Sequence, residues 1–165
     1  MRPPAKRIEI RPADPDTPTI RAMIDAHLAH SRETTPADSI HALPVQSLRA
    51  PEIRFWALFG DGVPQGCGAL KDLGDGLVEI KSVHVARTAR RRGLARRIML
   101  FLQAEAAKTG NTAMALETGS ELLPDFEAAR ALYNSLGFTP CDPIPGYGPD
   151  PNSVFLHLRL DPHAS

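Results

Sequence analysis

A basic turn between a strand pattern and a helix pattern carries the clearest chemistry in this chain. The segment Val83–Arg97 holds six arginines and one glycine, Gly93. Glycine lets the backbone approach a ligand closely, and the unpaired amides of a helix N-terminus point outward at the positive end of the helix dipole. An anion such as a diphosphate is the ligand that this arrangement favours.

Two other interpretations of the arginines stay open. They are a solvated helix start or a nucleic-acid surface. The nucleic-acid interpretation is disfavoured because 19 basic residues are balanced by 19 acidic ones over the whole chain. The arginines also lack neighbouring aromatic residues on which bases could stack. We therefore expect no nucleic-acid partner.

Composition limits the class of protein. With 165 residues, 42% hydrophobic and 23% charged, the chain is expected to form a single domain over residues 1–165. It contains no apolar run typical of a membrane span or a secretory signal, so we expect a cytoplasmic protein without a membrane partner. Cys67 and Cys141 are too few for a disulfide framework. Neither cysteines nor histidines have metal-ligand spacing, and we expect no metal.

Hydrophobic periodicity predicts the elements that position the basic turn. Predicted strands cover residues 7–11, 53–59, 63–71, 77–85, 113–117, 139–141 and 153–160. Predicted helices cover residues 17–30, 45–49, 94–108 and 125–136, the last with Asp125 as its cap. Turns at Asp61-Gly62 and Asp75-Gly76 indicate consecutive antiparallel strands. The order predicts an α/β (α+β) fold of three layers, with a mixed, mostly antiparallel sheet flanked by helices.

Several motifs resemble one known superfamily over nearly the entire chain. Residues 90–95, Arg-Arg-Arg-Gly-Leu-Ala, fit the Gln/Arg-x-x-Gly-x-Gly/Ala signature with which GNAT N-acetyltransferases bind the pyrophosphate of coenzyme A. Residues 79–81, 116–119, 131–138 and 153–155 resemble segments of one bacterial branch of that superfamily, the YsnE-type proteins. The resemblance implies a GNAT-like fold.

The resemblance also implies acetyl-CoA as cosubstrate. In this superfamily a strand edge binds the pantetheine arm through main-chain groups, and here Val83, His84 and Val85 occupy that strand. A main-chain amide near Val85 would stabilise the oxyanion. The residues expected at the diphosphate are Arg90, Arg91, Arg92, Gly93, Leu94, Ala95 and Arg96.

Two side chains are candidates for proton transfer. The resemblance places Tyr133 near the coenzyme sulfur as general acid, although its helix stripe also suits simple packing. Glu79 lies 11 positions before Arg90, where the histone-acetylating branch carries its base. Strand alternation puts Glu79 beside Lys81, so an ion pair is an equal alternative. The same alternation predicts that His84, another candidate base, faces the opposite side.

The resemblance predicts direct acetyl transfer to a primary amine, of a small molecule or a protein lysine, in a ternary complex. A non-catalytic acyl-CoA sensor is the alternative. Residues 31–44 and 141–151 are expected to form the walls of the site that binds the amine acceptor. The segment 120–126 is longer than usual and lacks an expected Asn or Gln. Three roles stay open for it: reshaping the coenzyme edge, covering the site, or forming a homodimer through Leu122, Leu123 and Phe126.

Overall fold

The computed structural model describes residues 7–161. These residues form a seven-stranded sheet and the helices that pack against it. The strand order across the sheet is β1-β2-β3-β4-β5-β7-β6, and all neighbouring pairs are antiparallel except β4 and β5. The strands are β1 (Ile8–Pro12), β2 (Ile53–Gly60), β3 (Val63–Gly74), β4 (Leu77–Val85), β5 (Ala113–Gly119), β6 (Thr139–Pro140) and β7 (Ser153–Arg159).

Helices cover both faces of the sheet. They are α1 (Pro18–Thr34), α2 (Val45–Leu48), α3 (Leu94–Lys108) and α4 (Glu127–Ser135). One apolar cluster joins α1 and α2 to β2 and β3, and a second joins α3 and α4 to the opposite face. The predicted α/β fold with a mixed, mostly antiparallel sheet between helical layers is confirmed. Within the described range, no helix is long and apolar enough to cross a membrane.

Two helix ends differ from the prediction by two residues or more. Helix α1 continues past His30 to Thr34, and in this last part the hydroxyls of Ser31 and Thr34 donate to the carbonyls of His27 and His30. Asp125 does not cap α4. It lies instead in a 3₁₀ turn that begins at a proline, and the helix starts two residues later.

A bulge in β4 reverses the side-chain alternation that the sequence predicts. Cys67 pairs with His84, but Ala69 pairs with Lys81, so two residues of β4 oppose one residue of β3. Ser82, at the bulge, has a φ of +55°. Beyond it, His84 lies on the α1 face with Lys81, where its ring stacks on His27. The expectation that His84 faces away from Glu79 and Lys81 is therefore wrong, since strict alternation holds only without a bulge.

Candidate active site

The parallel strands β4 and β5 separate near the middle of the sheet. They pair only from Leu77–Glu79 against Ala113–Ala115, and no other described strand pairs with the freed edge of β4. A cavity of about 170 Å³ lies in this gap and reaches helices on both faces of the sheet. Its lining includes His27, Ser31, Thr35, Ser39, His41, Glu79, Lys81, Ser82, Val83, Leu116, Glu117, Leu123, Phe126, Ala129, Tyr133 and Tyr147.

The freed edge of β4 offers main-chain groups to an extended ligand. Val83, His84 and Val85, the residues predicted to hold the pantetheine arm, all lie on this edge, Val83 in the bulge and the other two beyond it. An extended chain can pair with such an edge as an added strand. The thiol of Cys67 donates to the carbonyl of Ser82 at 3.2 Å and so contacts the bulge itself. The edge thus has no strand partner where β4 and β5 diverge.

The basic turn leads from β4 into α3 as the sequence predicts. Gly93 is the N-cap residue of α3 and has a φ of +71°, a left-handed conformation that glycine adopts without strain. The first helical bond of α3 runs from the amide of Arg97 to the Gly93 carbonyl at 3.2 Å. The amides of Leu94, Ala95 and Arg96 therefore have no partner within the helix, and no acidic side chain lies in the first turn. This end of α3 can bind an anion.

The predicted arginines lie in different places around the turn. The Nε atom of Arg90 donates to the Val85 carbonyl at 3.4 Å. Arg91 and Arg92 are exposed. Arg96 reaches the next helix, where its guanidinium donates to the hydroxyl of Ser135 at 3.1 Å. Arg96 thus adds one exposed contact between α3 and α4, the helix that carries Tyr133.

Glu79 and Lys81 form the ion pair that strand alternation predicts. The Lys81 Nζ atom lies 3.3 Å from Glu79 Oε2 and also donates to the His41 carbonyl at 3.3 Å. The hydroxyl of Tyr147 donates to Glu79 Oε2 at 2.5 Å and accepts from Lys81 Nζ at 2.6 Å. Glu79 is 1% exposed. A buried pair with these additional bonds is stable because each charge has its partners.

Tyr133 lies on the opposite side of the gap, on α4. Its side chain lines the cavity and packs with the apolar cluster of the α3 and α4 face, where its ring approaches that of Phe138 at 6.1 Å between centroids. Burial, with a smaller contribution from the charge of Glu117, raises the pKa of Tyr133 to about 12. Packing and a chemical role are therefore compatible at this residue. A phenol with this pKa stays protonated at neutral pH.

Glu117 is a site residue that the sequence analysis does not single out. It lies on β5 and lines the cavity, and the Ser153 hydroxyl donates to its Oε1 atom at 2.8 Å. Burial raises the pKa of Glu117 from 4.5 to about 7. The available signal was an ionisable residue inside an apolar strand, next to the gap between the parallel strands.

The histidines near the cavity are poor bases. Burial, with smaller contributions from the charges of His27, Arg90 and His30, lowers the pKa of His84 to about 3. Burial also lowers the pKa of His27. An imidazole with such a pKa holds a proton weakly and cannot deprotonate an ammonium group efficiently. Among the residues from 7 to 161, no group of three or more His, Cys, Asp or Glu side chains could hold a metal ion.

The two predicted acceptor walls contact each other across the mouth of the cavity. Ser39, in the loop after α1, donates its hydroxyl to Asp150 Oδ2 at 2.5 Å, and Asn152 Nδ2 donates to Ser39 Oγ at 3.3 Å. His41 and Tyr147, from the same two loops, have ring centroids 4.8 Å apart. The loops therefore form one connected wall above the Glu79 and Lys81 pair.

The segment 120–126, which is longer than usual, lies over the α4 end of the cavity. Leu123 and Phe126 line the cavity, whereas Leu122 is 65% exposed. The guanidinium of Arg130 donates to the carbonyls of Gly119, Ser120 and Leu123 at 2.8, 2.7 and 3.2 Å. Of the three roles left open, covering the site agrees with these contacts, since two of the three apolar side chains face inward.

Comparison with known proteins agrees with this geometry. The model of the acetyltransferase (GNAT) family matches residues 20–138. The N-acetyltransferase YsnE of Bacillus subtilis (strain 168) is 42% identical over 139 residues, which cover 84% of this chain and 91% of that protein.

Solved structures share the fold. A Klebsiella pneumoniae protein assigned to the acyl-CoA N-acyltransferases is 28% identical, with a TM-score of 0.74 over 93% of this chain and 97% of that one. The PaiA N-acetyltransferase of Thermoplasma acidophilum, solved in complex with coenzyme A, has a TM-score of 0.69 at 14% identity over 93% of this chain and 99% of its own. The chain therefore belongs to the GNAT acetyltransferase family and is similar to its YsnE-type branch.

Proposed function

We propose that this acetyltransferase moves an acetyl group from acetyl-CoA directly to a primary amine, with both substrates bound at once. The observation that carries the proposal is the cavity between β4 and β5, which has Glu117 on one side and Tyr133 on the other. Direct transfer needs a proton acceptor where the amine enters and a proton donor where the thiolate leaves. The two side chains supply these functions from opposite sides of one gap.

The coenzyme would bind along two adjacent elements. Its diphosphate would accept hydrogen bonds from the free amides at the start of α3, and its pantetheine arm would pair with the freed edge of β4. Arg90, Arg91 and Arg92 add positive charge around the same turn. The freed edge and the basic turn are consecutive in the chain, and Val83 on that edge also lines the cavity, which supports delivery of a thioester there.

In the proposed reaction, Glu117 takes a proton from the ammonium form of the acceptor. The neutral nitrogen attacks the thioester carbon, and a main-chain amide beyond the β4 bulge stabilises the oxyanion, an effect worth about 10²- to 10³-fold. The carbon–sulfur bond then breaks. Tyr133 protonates the departing thiolate, and the second proton lost by the nitrogen restores the phenol of Tyr133. The proton on Glu117 passes to solvent, so that the products are an amide, free coenzyme A and one released proton.

Glu117 suits the role of base better than Glu79. The carboxylate of Glu79 is held by Lys81 and by Tyr147, and these bonds would have to break before it could accept a proton. Glu117 has one side-chain hydrogen bond, from Ser153, and a pKa near neutrality. We assign the base function to Glu117. For Glu79 we propose that it positions Lys81 and the loop that carries Tyr147.

An acyl-CoA sensor without activity is the alternative function. It would use the same turn and the same strand edge for binding but would need neither a carboxylate of raised pKa nor a buried phenol in the cavity. Titration calorimetry with acetyl-CoA, followed by a thiol-release assay with a panel of primary amines, separates the two functions. A sensor binds the coenzyme and releases no thiol with any amine. The panel includes small amines, amino acids and lysine peptides, so it also identifies the acceptor class.

The pH dependence of turnover tests the proposed base. If Glu117 must be ionised, kcat/KM should rise as the pH passes through about 7 and level off above it. The isosteric Glu117→Gln variant should lose about 10²- to 10⁴-fold in kcat/KM and should lack that rise. Acetyl-CoA affinity should be nearly unchanged, since the carboxyl lies at the acceptor.

The matched control is Glu121→Gln, which removes the same charge from an exposed position four residues along the chain. It should keep the wild-type profile. An unchanged rise near pH 7 in the Glu117→Gln enzyme would show that another group is the base. The cytoplasmic location and a homodimer stay predictions, the second of which equilibrium sedimentation would test.

A further inference from the structure

The cavity has a polar end and an apolar end. On the α1 side its lining is polar, with Glu79, Lys81 and Glu117 among the residues. On the α4 side, Leu123 and Phe126 stand beside the aliphatic residues Leu116 and Ala129 and the ring of Tyr133. An alkyl chain placed at the polar end would desolvate charged groups, which is costly. The tail of an acyl group is therefore expected at the apolar end.

Phe126 closes that end by direct contact with the backbone of β5. A Cβ atom placed on Gly119 would lie 2.4 Å from a ring carbon of Phe126, so the ring occupies the space that a side chain would need. Leu123 is 8% exposed and stands beside it. The two side chains form a wall where β5 ends, and the absence of a side chain at Gly119 lets that wall approach closely.

The wall is held in place by polar contacts at its base. Arg130, on α4, donates to three carbonyls of the segment between β5 and α4. The hydroxyl of Ser120 donates to the Pro151 carbonyl at 2.7 Å. Because the segment is anchored to α4 on one side and to the loop before β7 on the other, a longer acyl chain cannot easily displace Phe126.

We propose that Phe126 and Leu123 determine which acyl group this enzyme transfers, by closing the cavity beyond a two-carbon chain. The inference rests on the proposed acyl transfer and adds a basis for selectivity to it. One methylene that does not fit a closed apolar site changes discrimination by about 10- to 200-fold. Removal of the Phe126 ring should open the end of the cavity and let longer chains enter.

The test compares acetyl-, propionyl- and butyryl-CoA at saturating amine, with thiol release as the readout. In the wild-type enzyme kcat/KM should fall at least about tenfold for each added methylene. In Phe126→Ala the ratio of butyryl to acetyl kcat/KM should rise at least tenfold. Leu123→Ala should shift the same ratio in the same direction. The matched control is Leu122→Ala, which removes an exposed leucine from the same segment and should leave the ratio unchanged.

A conservative variant covers the case in which Phe126→Ala does not fold, as judged by circular dichroism. Phe126→Leu keeps an apolar side chain and should admit propionyl-CoA more readily than the wild type does. The proposal is wrong if the wild type uses butyryl-CoA as well as acetyl-CoA, or if the folded Phe126 variants keep the wild-type ratio. No turnover of the wild type with any acyl-CoA would instead contradict the proposed function.

Discussion

Burial is the largest influence on the pKa of each side chain to which we assign a proton transfer, Glu117 and Tyr133. Burial disfavours the charged form of each group, so it raises both pKa values. For the carboxyl, the raised pKa of about 7 lies where a base can both accept and release a proton. For the phenol, the pKa of about 12 means that the group carries its proton at neutral pH.

Replacement of Tyr133 by phenylalanine tests its proposed role as the general acid. Tyr133→Phe keeps the ring and its packing against Phe138 but removes the proton. We expect kcat to fall by about 10²-fold and the affinity for acetyl-CoA, measured by calorimetry, to stay within about twofold. Equal turnover of the two proteins would remove Tyr133 from the mechanism.

At the scale of residues, the sequence predicts some site members and misses others for a physical reason. The pair of Glu79 and Lys81 follows from strand periodicity, and it is present. The sequence does not reveal Glu117 because its raised pKa depends on burial in the folded sheet, which outweighs the opposite effect of the hydrogen bond from Ser153, 36 residues away. The predicted face of His84 is wrong because one additional residue in β4 turns every later side chain of that strand to the other face of the sheet.

At the scale of elements, α3 was the most predictable and the bulge in β4 the least. The helix begins at Leu94 and ends at Lys108 as predicted, because glycine precedes it and its apolar residues repeat at helical spacing. The bulge gives no comparable signal. Its residue with positive φ is Ser82, whereas glycine is the residue that would indicate such a conformation in a sequence.

Gly93→Ala tests whether the conformation of the turn matters for binding. Both Gly93 and Gly62 have positive φ values, +71° and +81°, and a Cβ atom at either would meet nothing within 4 Å. Alanine should therefore lower the free energy of unfolding by a similar amount, about 1 to 2 kcal/mol, at either position. Only Gly93→Ala should also weaken acetyl-CoA binding, by about tenfold, because Gly62 lies in the β2–β3 turn.

Calorimetry with acetyl-CoA and thermal unfolding of both variants measure these two effects separately. Equal coenzyme affinity in the Gly93→Ala and Gly62→Ala proteins would show that the turn before α3 does not hold the diphosphate. A loss in both would indicate a general effect of destabilisation rather than a local one.

At the scale of the whole molecule, the sequence predicts connections better than it predicts shape. Two tight turns and one crossover helix give the antiparallel strands and the parallel pair. The separation of β4 from β5 does not follow from such local signals, because it depends on how far two non-adjacent strands stay paired. The contact between the two acceptor loops likewise depends on a hydrogen bond between residues 111 positions apart, Ser39 and Asp150.

The buried carboxyl of Glu117 should make the stability of the protein depend on pH. Its pKa is about 7 in the folded protein and near 4.5 when unfolded. Between these values the unfolded state binds fewer protons, so stability is fully present below about pH 4.5 and is lost as the pH rises through 7. Glu117→Gln should therefore be more stable than the wild type at pH 8, by up to roughly 3 kcal/mol, and nearly equal at pH 4.5.

Thermal unfolding of both proteins across this range gives the difference in Tm directly. A difference that stays constant with pH would mean that Glu117 is not held in its neutral form by the fold. That result would also weaken its assignment as a base that works near pH 7.

A crystal structure with acetyl-CoA bound tests the central claim most directly, because it shows where the thioester lies. We expect the diphosphate on the amides of Leu94, Ala95 and Arg96, and the thioester between β4 and β5, with its sulfur on the Tyr133 side and its carbonyl carbon open to the Glu117 side. A coenzyme whose diphosphate lies away from Gly93, or whose thioester lies outside the gap between these strands, would contradict the account.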